Sequence, residues 1–175
     1  MTATAPITVR DWRGCYDDSW KGLITDESFA HPAKYARGLI ERIIGHGLQR
    51  GWWRAGDLLA DPFGGIGTGG ITCSTAGLRW IGVELEPRFV AMAQANFDLN
   101  ERPMFPGAHP RPVIVQGDSR RFAEIVQASG IVTSPPYADS VNRDGHGFDW
   151  TKGKQANDRP NSAQRHYELL AQKTQ

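Results

Sequence analysis

At 175 residues, 39% of them hydrophobic, the chain is long enough to bury one core, and a single globular domain is expected. A formal net charge of +1 excludes a basic field over the whole surface, so any contact with nucleic acid must come from a local patch or from another polypeptide. Two separated cysteines, a start MTATAPITVR without an apolar centre, and no apolar run near the ~20 residues of a membrane helix predict a cytoplasmic, disulfide-free protein with no membrane role.

Residues 1–30 read as a polar amino-terminal extension. HPAKYARGLIERIIGHGL then puts Pro32 in a first helical turn, with Ala36, Leu39, Ile40, Ile43 and Ile44 at helical spacing. A strand is expected over 58–61, and DPFGGIGTGG follows it as a glycine-rich loop. Residues 71–76 read as a helix, Gly77 as a turn and 80–84 as a second strand; Pro87 opens a helix with Val90, Ala93 and Phe97 on one face. Four prolines make ERPMFPGAHPRP a stiff connection. VIVQGD is the third strand, Ser119 the cap of a helix over 120–129 that Gly130 ends, and 131–134 the fourth strand. Strands alternating with helices and free of hairpin signals predict an α/β fold, a Rossmann-like doubly wound, mostly parallel sheet. Residues 31–137 form this core; 138–175 are a polar loop followed by a short helix over AQRHYELLAQK.

In an open parallel sheet the ligand sits at the carboxyl ends of the strands, near the reversal of strand order. Each predicted strand ends there in a polar motif. The first ends in DPFGGIGTGG, where Gly65, Gly67 and Gly70 satisfy GxGxxG without the Gly-Lys-Ser/Thr of a phosphate loop. The second ends in Glu84, 23 positions after Asp61, where a nucleoside-binding fold places an acceptor for ribose hydroxyls. The third ends in Asp118, and the fourth in Ser134-Pro135-Pro136-Tyr137, a rigid corner carrying an aromatic ring. A nucleoside-bearing cofactor and a second planar group are the expected occupants. Taken singly, the glycines could make a mere tight turn, the carboxylates could be helix caps, and the corner could only terminate a strand. Trp52, Trp53 and Trp150 read as packing residues, and the histidines have no spacing that predicts a metal site.

HPAKY, DPFGGIGTGG, GVELEP, QGDS and TSPPY, in that order from 31 to 137, together resemble the S-adenosyl-L-methionine-dependent DNA amino-methyltransferases, which methylate cytosine N4 or adenine N6. The resemblance implies that Asp61, Pro62, Phe63, Gly65, Gly67 and Thr68 line the methionine end of the cofactor, with His31, Pro32 and Lys34 helping to hold it. It implies that Glu84 takes the ribose hydroxyls and that Asp118 lies beside the adenine. At the corner, Ser134 Oγ and the Pro135 carbonyl would accept the two N–H bonds of the target amine, Pro136 would stiffen the turn, and Tyr137 would stack on a base flipped out of duplex DNA. Serine at the first corner position favours cytosine N4 over adenine N6. Alternatives are an RNA or protein amino-methyltransferase, an NAD-binding domain that leaves the corner idle, and a non-catalytic cofactor-binding subunit. The family's sheet has seven strands and only about four are legible here, so a fragment or one half of a split enzyme, completed by a second polypeptide, is also expected.

Overall fold

The computed structural model describes residues 12–29, 34–101 and 109–135. Strand β1 (Leu58–Asp61) leads through the glycine loop into α3 (Thr68–Thr75), preceded by the short α1 (Asp26–Phe29) and by α2 (Arg37–Arg50). Then come β2 (Arg79–Glu84), α4 (Pro87–Leu99), β3 (Val113–Gln116), a 3-10 turn (Ser119–Arg121), α5 (Phe122–Ile125) and β4 (Gly130–Ile131). Among the described residues all strand pairings are parallel, and the order across the sheet is β3-β2-β1-β4. The chain moves outward from β1 to β3 and then jumps back to the far side of β1. That reversal makes the sheet doubly wound and puts its switch point between β1 and β4. Right-handed crossovers require the β3–β4 connection to cross the face opposite α3 and α4.

Burial explains why these segments order. Leu59 and Ala60 in β1 are inaccessible to solvent, as is Val83 in β2, as expected for a sheet covered on both faces. In α2, Ile40 and Ile44 sit one turn apart on the buried side, and Gly47 lets Trp53 lie flat on the helix: a Cβ there would come within 2.0 Å of the indole. Gly70 gives α3 the same close approach, because a Cβ would meet Trp80 at 2.7 Å and Pro112 at 2.8 Å. Trp20 and Ile24, from the segment expected as a polar extension, belong to this core.

Four boundaries differ from expectation. Helix α2 begins at Arg37 rather than near Pro32; Ala36 is extended, and Tyr35 before it points its hydroxyl at Asp61 while its carbonyl accepts from Trp20 Nε1. Helix α3 begins three residues earlier than expected, since its glycines are needed for packing and not for a longer loop. Asp118, not Ser119, caps the turn after β3 by accepting from the Arg120 N–H, and the helix that follows ends at Ile125. Gly130 lies inside β4, not at a helix end, and the ladder to β1 stops at the bond from Val132 N to Ala60 O. Thr133 turns its hydroxyl to Asp61, and the prolines after it have no N–H to offer a strand. Among the described residues no helix is long and apolar enough to cross a membrane.

Candidate cofactor and acceptor site

The carboxyl ends of the four strands bring Asp118, Glu84, the glycine loop and Ser134 to one edge of the sheet, in that spatial order. Three inter-strand steps separate the outer two, about 14 Å at ordinary strand spacing. His31, Pro32, Pro136 and Tyr137 lie outside the described residues.

The glycine loop is held from several sides. Gly64 N donates to Val83 O (2.8 Å) and Gly65 N to Glu84 Oε2 (2.9 Å), tying the loop to the end of β2. Asn96, fully buried in α4, donates to Ile66 O (2.9 Å) and accepts from Thr25 N and the Ser28 hydroxyl. One amide thus joins the loop to the amino-terminal segment. Gly67 has φ of +78° and precedes the first turn of α3, whose opening residue Thr68 is buried. Phe63 remains partly exposed at 38%, so its ring can face a ligand, and Pro62 is half-buried beside it.

Glu84 does two jobs at once. Its Oε2 fixes Gly65, and its Oε1 accepts from Glu86 N (2.9 Å). A carboxylate has about four acceptor sites, so capacity for a ribose remains. Leu85 next to it is 62% exposed, an apolar surface that the sequence reading did not single out. Asp118 forms an ion pair with Arg120, whose hydrogen bonds hold its carboxyl down to about 2. Asp118 therefore stays an acceptor at any working pH. Lys34 is half-buried and donates to Phe29 O (3.0 Å); burial lowers its pKa.

Asp61 stands apart from these groups because it is 1% exposed. Its Oδ1 accepts from Phe63 N (2.9 Å) and from the Thr133 hydroxyl (2.7 Å). The single proton of Tyr35 Oη is shared between Asp61 Oδ2 (3.1 Å) and Val132 O (3.3 Å). Tyr35 and Thr133 are functional candidates that sequence reasoning missed; their only signal was membership in HPAKY and TSPPY. Burial pushes the Asp61 carboxyl above its ordinary range, and the charge of Glu84 adds to this, while bonds from Thr133, Phe63 and Tyr35 oppose it. Burial, then the Asp61 charge, pushes the Cys73 thiol up to about 12.

The raised Asp61 value has a sign that can be checked. Between the ordinary Asp value of 3.8 and the raised one, the folded state binds more protons than the unfolded state, so this group's contribution to stability is lost as pH rises. Asp61→Asn should flatten that part of the profile. Urea unfolding of parent and variant from pH 4 upward checks it, and an equal slope in both proteins rules it out.

A glycine loop, an acidic residue closing the second strand and a 3-2-1-4 parallel order define an α/β protein of the nucleoside-cofactor-binding class. Residues 10–95 match the family model for N6 and N4 methyltransferases, described as DNA methylase. Over that stretch, just under half of its length, the chain is similar to the DNA amino-methyltransferases, a family whose methyl donor is S-adenosyl-L-methionine. The match takes in HPAKY, the glycine loop and GVELEP, and ends before β3. Type II methyltransferase M2.DpnII of Streptococcus pneumoniae is 33% identical over 85 residues, which are 46% of this chain and 30% of that enzyme. The chain thus spans about a third of the length of that curated relative. An RNA methyltransferase from Salinibacter ruber, solved with S-adenosyl-L-homocysteine, is 25% identical with a TM-score of 0.41, covering 52% of this chain and 56% of that one.

Proposed function

We propose that this chain carries the catalytic core of a site-specific DNA methyltransferase, which moves a methyl group from S-adenosyl-L-methionine to the exocyclic amine of a DNA base. The observation that carries the reading is the shared edge. The glycine loop and Glu84 lie on one side of the switch point, and Ser134 and Pro135 lie directly across it after β4. A cofactor lying over β1 and β2 would present its methyl group towards β4.

The proposed contacts follow from that placement. Glu84 accepts from the ribose hydroxyls, Leu85 and Asp118 flank the adenine, and Phe63, Pro62, Gly65, Gly67 and Thr68 surround the methionine end, with His31, Pro32 and Lys34 closing it. The exposed face of Phe63 suits a sulfonium cation. Methyl transfer is an in-line displacement: the amine nitrogen forms the new C–N bond as the C–S bond breaks, and the nitrogen then loses a proton to solvent. Alignment supplies most of the rate. Ser134 Oγ and Pro135 O accept from the amine, favouring a pyramidal nitrogen whose lone pair is available, and Tyr137 stacks on the flipped base. Serine at the corner's first position favours cytosine N4 over adenine N6.

A second polypeptide covering β4 is also part of the proposal. Among the described residues β4 has β1 on one side only, and Ile131 is 57% exposed, a combination that natural sheets usually cover. Titration with S-adenosyl-L-methionine, followed by transfer of labelled methyl groups to DNA and to RNA, tests the function. Labelled N4-methylcytosine is the expected product; N6-methyladenine would overturn the choice of base, and labelled RNA alone the choice of substrate.

A further inference from the structure

We propose that Asp61 is a positioning residue for the acceptor corner. Held by Tyr35 and Thr133, its buried carboxylate sets where Ser134 and Pro135 stand relative to the glycine loop, without touching the cofactor. This rests on the reading that the corner receives the target amine. The backbone ladder gives the corner little support. Its last bond is that of Val132 N, and Pro135 cannot donate. Beyond that bond, every described hydrogen bond reaching residues 132–135 involves Tyr35 or Asp61.

The carboxylate joins three segments that are remote in sequence. Tyr35 comes from HPAKY, Asp61 and Phe63 from the glycine-loop motif, and Thr133 from the corner. Oδ1 serves both the turn that presents Phe63 and the hydroxyl that anchors the corner, so a shift of one is felt by the other. With three donors from its own chain and 1% of its surface exposed, Asp61 serves the chain's own segments, where the resemblance implies a lining residue of the methionine end. A charged acceptor suits this role because all three partners are donors, and such bonds are stronger than neutral ones.

Thr133→Val and Tyr35→Phe each remove one hydroxyl and keep the side-chain shape, and Thr133→Ser restores the first. In both hydroxyl-free variants S-adenosyl-L-methionine affinity should stay within about twofold, while amide exchange at Val132, the last amide of the ladder with a described acceptor, accelerates by about tenfold. Methyl transfer to DNA per bound cofactor should fall by about tenfold as alignment loosens, and Thr133→Ser should recover both properties. Unchanged exchange in both variants, or cofactor affinity lost in step with exchange, overturns the proposal. A parent protein that binds cofactor yet methylates no DNA, even with the polypeptide that covers β4, defeats the functional reading instead, and exchange with affinity still decides the clamp.

Discussion

Gly67→Ala is expected to lower the free energy of unfolding by about 2 to 5 kcal/mol, whereas Gly77→Ala should lower it by only about 1 to 2 kcal/mol. Both glycines have left-handed backbones, with φ of +78° and +76°. A side chain at either position pays the same conformational penalty, and the difference lies in what the new methyl group meets. At Gly67 it would stand 2.5 Å from the Phe97 ring and 3.2 Å from the Ala93 Cβ, both buried on α4. At Gly77 the nearest atom is the Ala55 Cβ at 3.9 Å, an ordinary contact. Relief at Gly67 requires the loop to move off α4, which pulls Ile66 from Asn96 and weakens cofactor binding as well. Urea unfolding of the two variants side by side is the measurement. Equal losses would show that Phe97 yields without resistance.

What could be read from the sequence was whatever has a local cause. The glycines of GGIGTGG announce a tight turn through residue type, which Gly65 and Gly67 make with positive φ, and Pro87 announces the start of α4 because it fits a first turn. The doubly wound parallel sheet follows from alternating strands and helices, and the structure adds its order, β3-β2-β1-β4. What could not be read has a cause distant in sequence. Asn96 looks like one more polar residue of a helix, yet its partners lie 71, 68 and 30 positions away. Asp61 likewise meets Tyr35 and Thr133 across 26 and 72 positions, so its burial is invisible to any local pattern. Asp118 and Ser119 are adjacent and both good caps, and only the backbone turn after β3 decides between them. The fourth strand looked longer because Val132 and Thr133 have strand propensity; hydroxyl and carbonyl contacts with the Asp61–Tyr35 pair claim them first.

Glu84→Ala and Ser134→Ala should fail in opposite ways, and the contrast separates the two halves of the edge. Glu84 is expected to accept from the ribose, and it already braces Gly65 and Glu86, so its removal takes away a ligand and loosens the loop together. The loss in cofactor affinity should be about 2 to 4 kcal/mol, more than one charge-assisted bond alone. Glu84→Gln keeps an oxygen for Gly65 N and should lose less. Ser134 sits across the switch point, exposed and away from the loop, so Ser134→Ala should leave affinity unchanged. Its effect should appear in the transfer step, at about a hundredfold in kcat, the scale of losing one preorganised hydrogen-bonding group in a transition state. Calorimetric titration with S-adenosyl-L-methionine and single-turnover methylation at saturating cofactor measure the two quantities independently. Weakened cofactor binding in Ser134→Ala with undiminished single-turnover transfer would move Ser134 to the cofactor side and leave the amine without its acceptor.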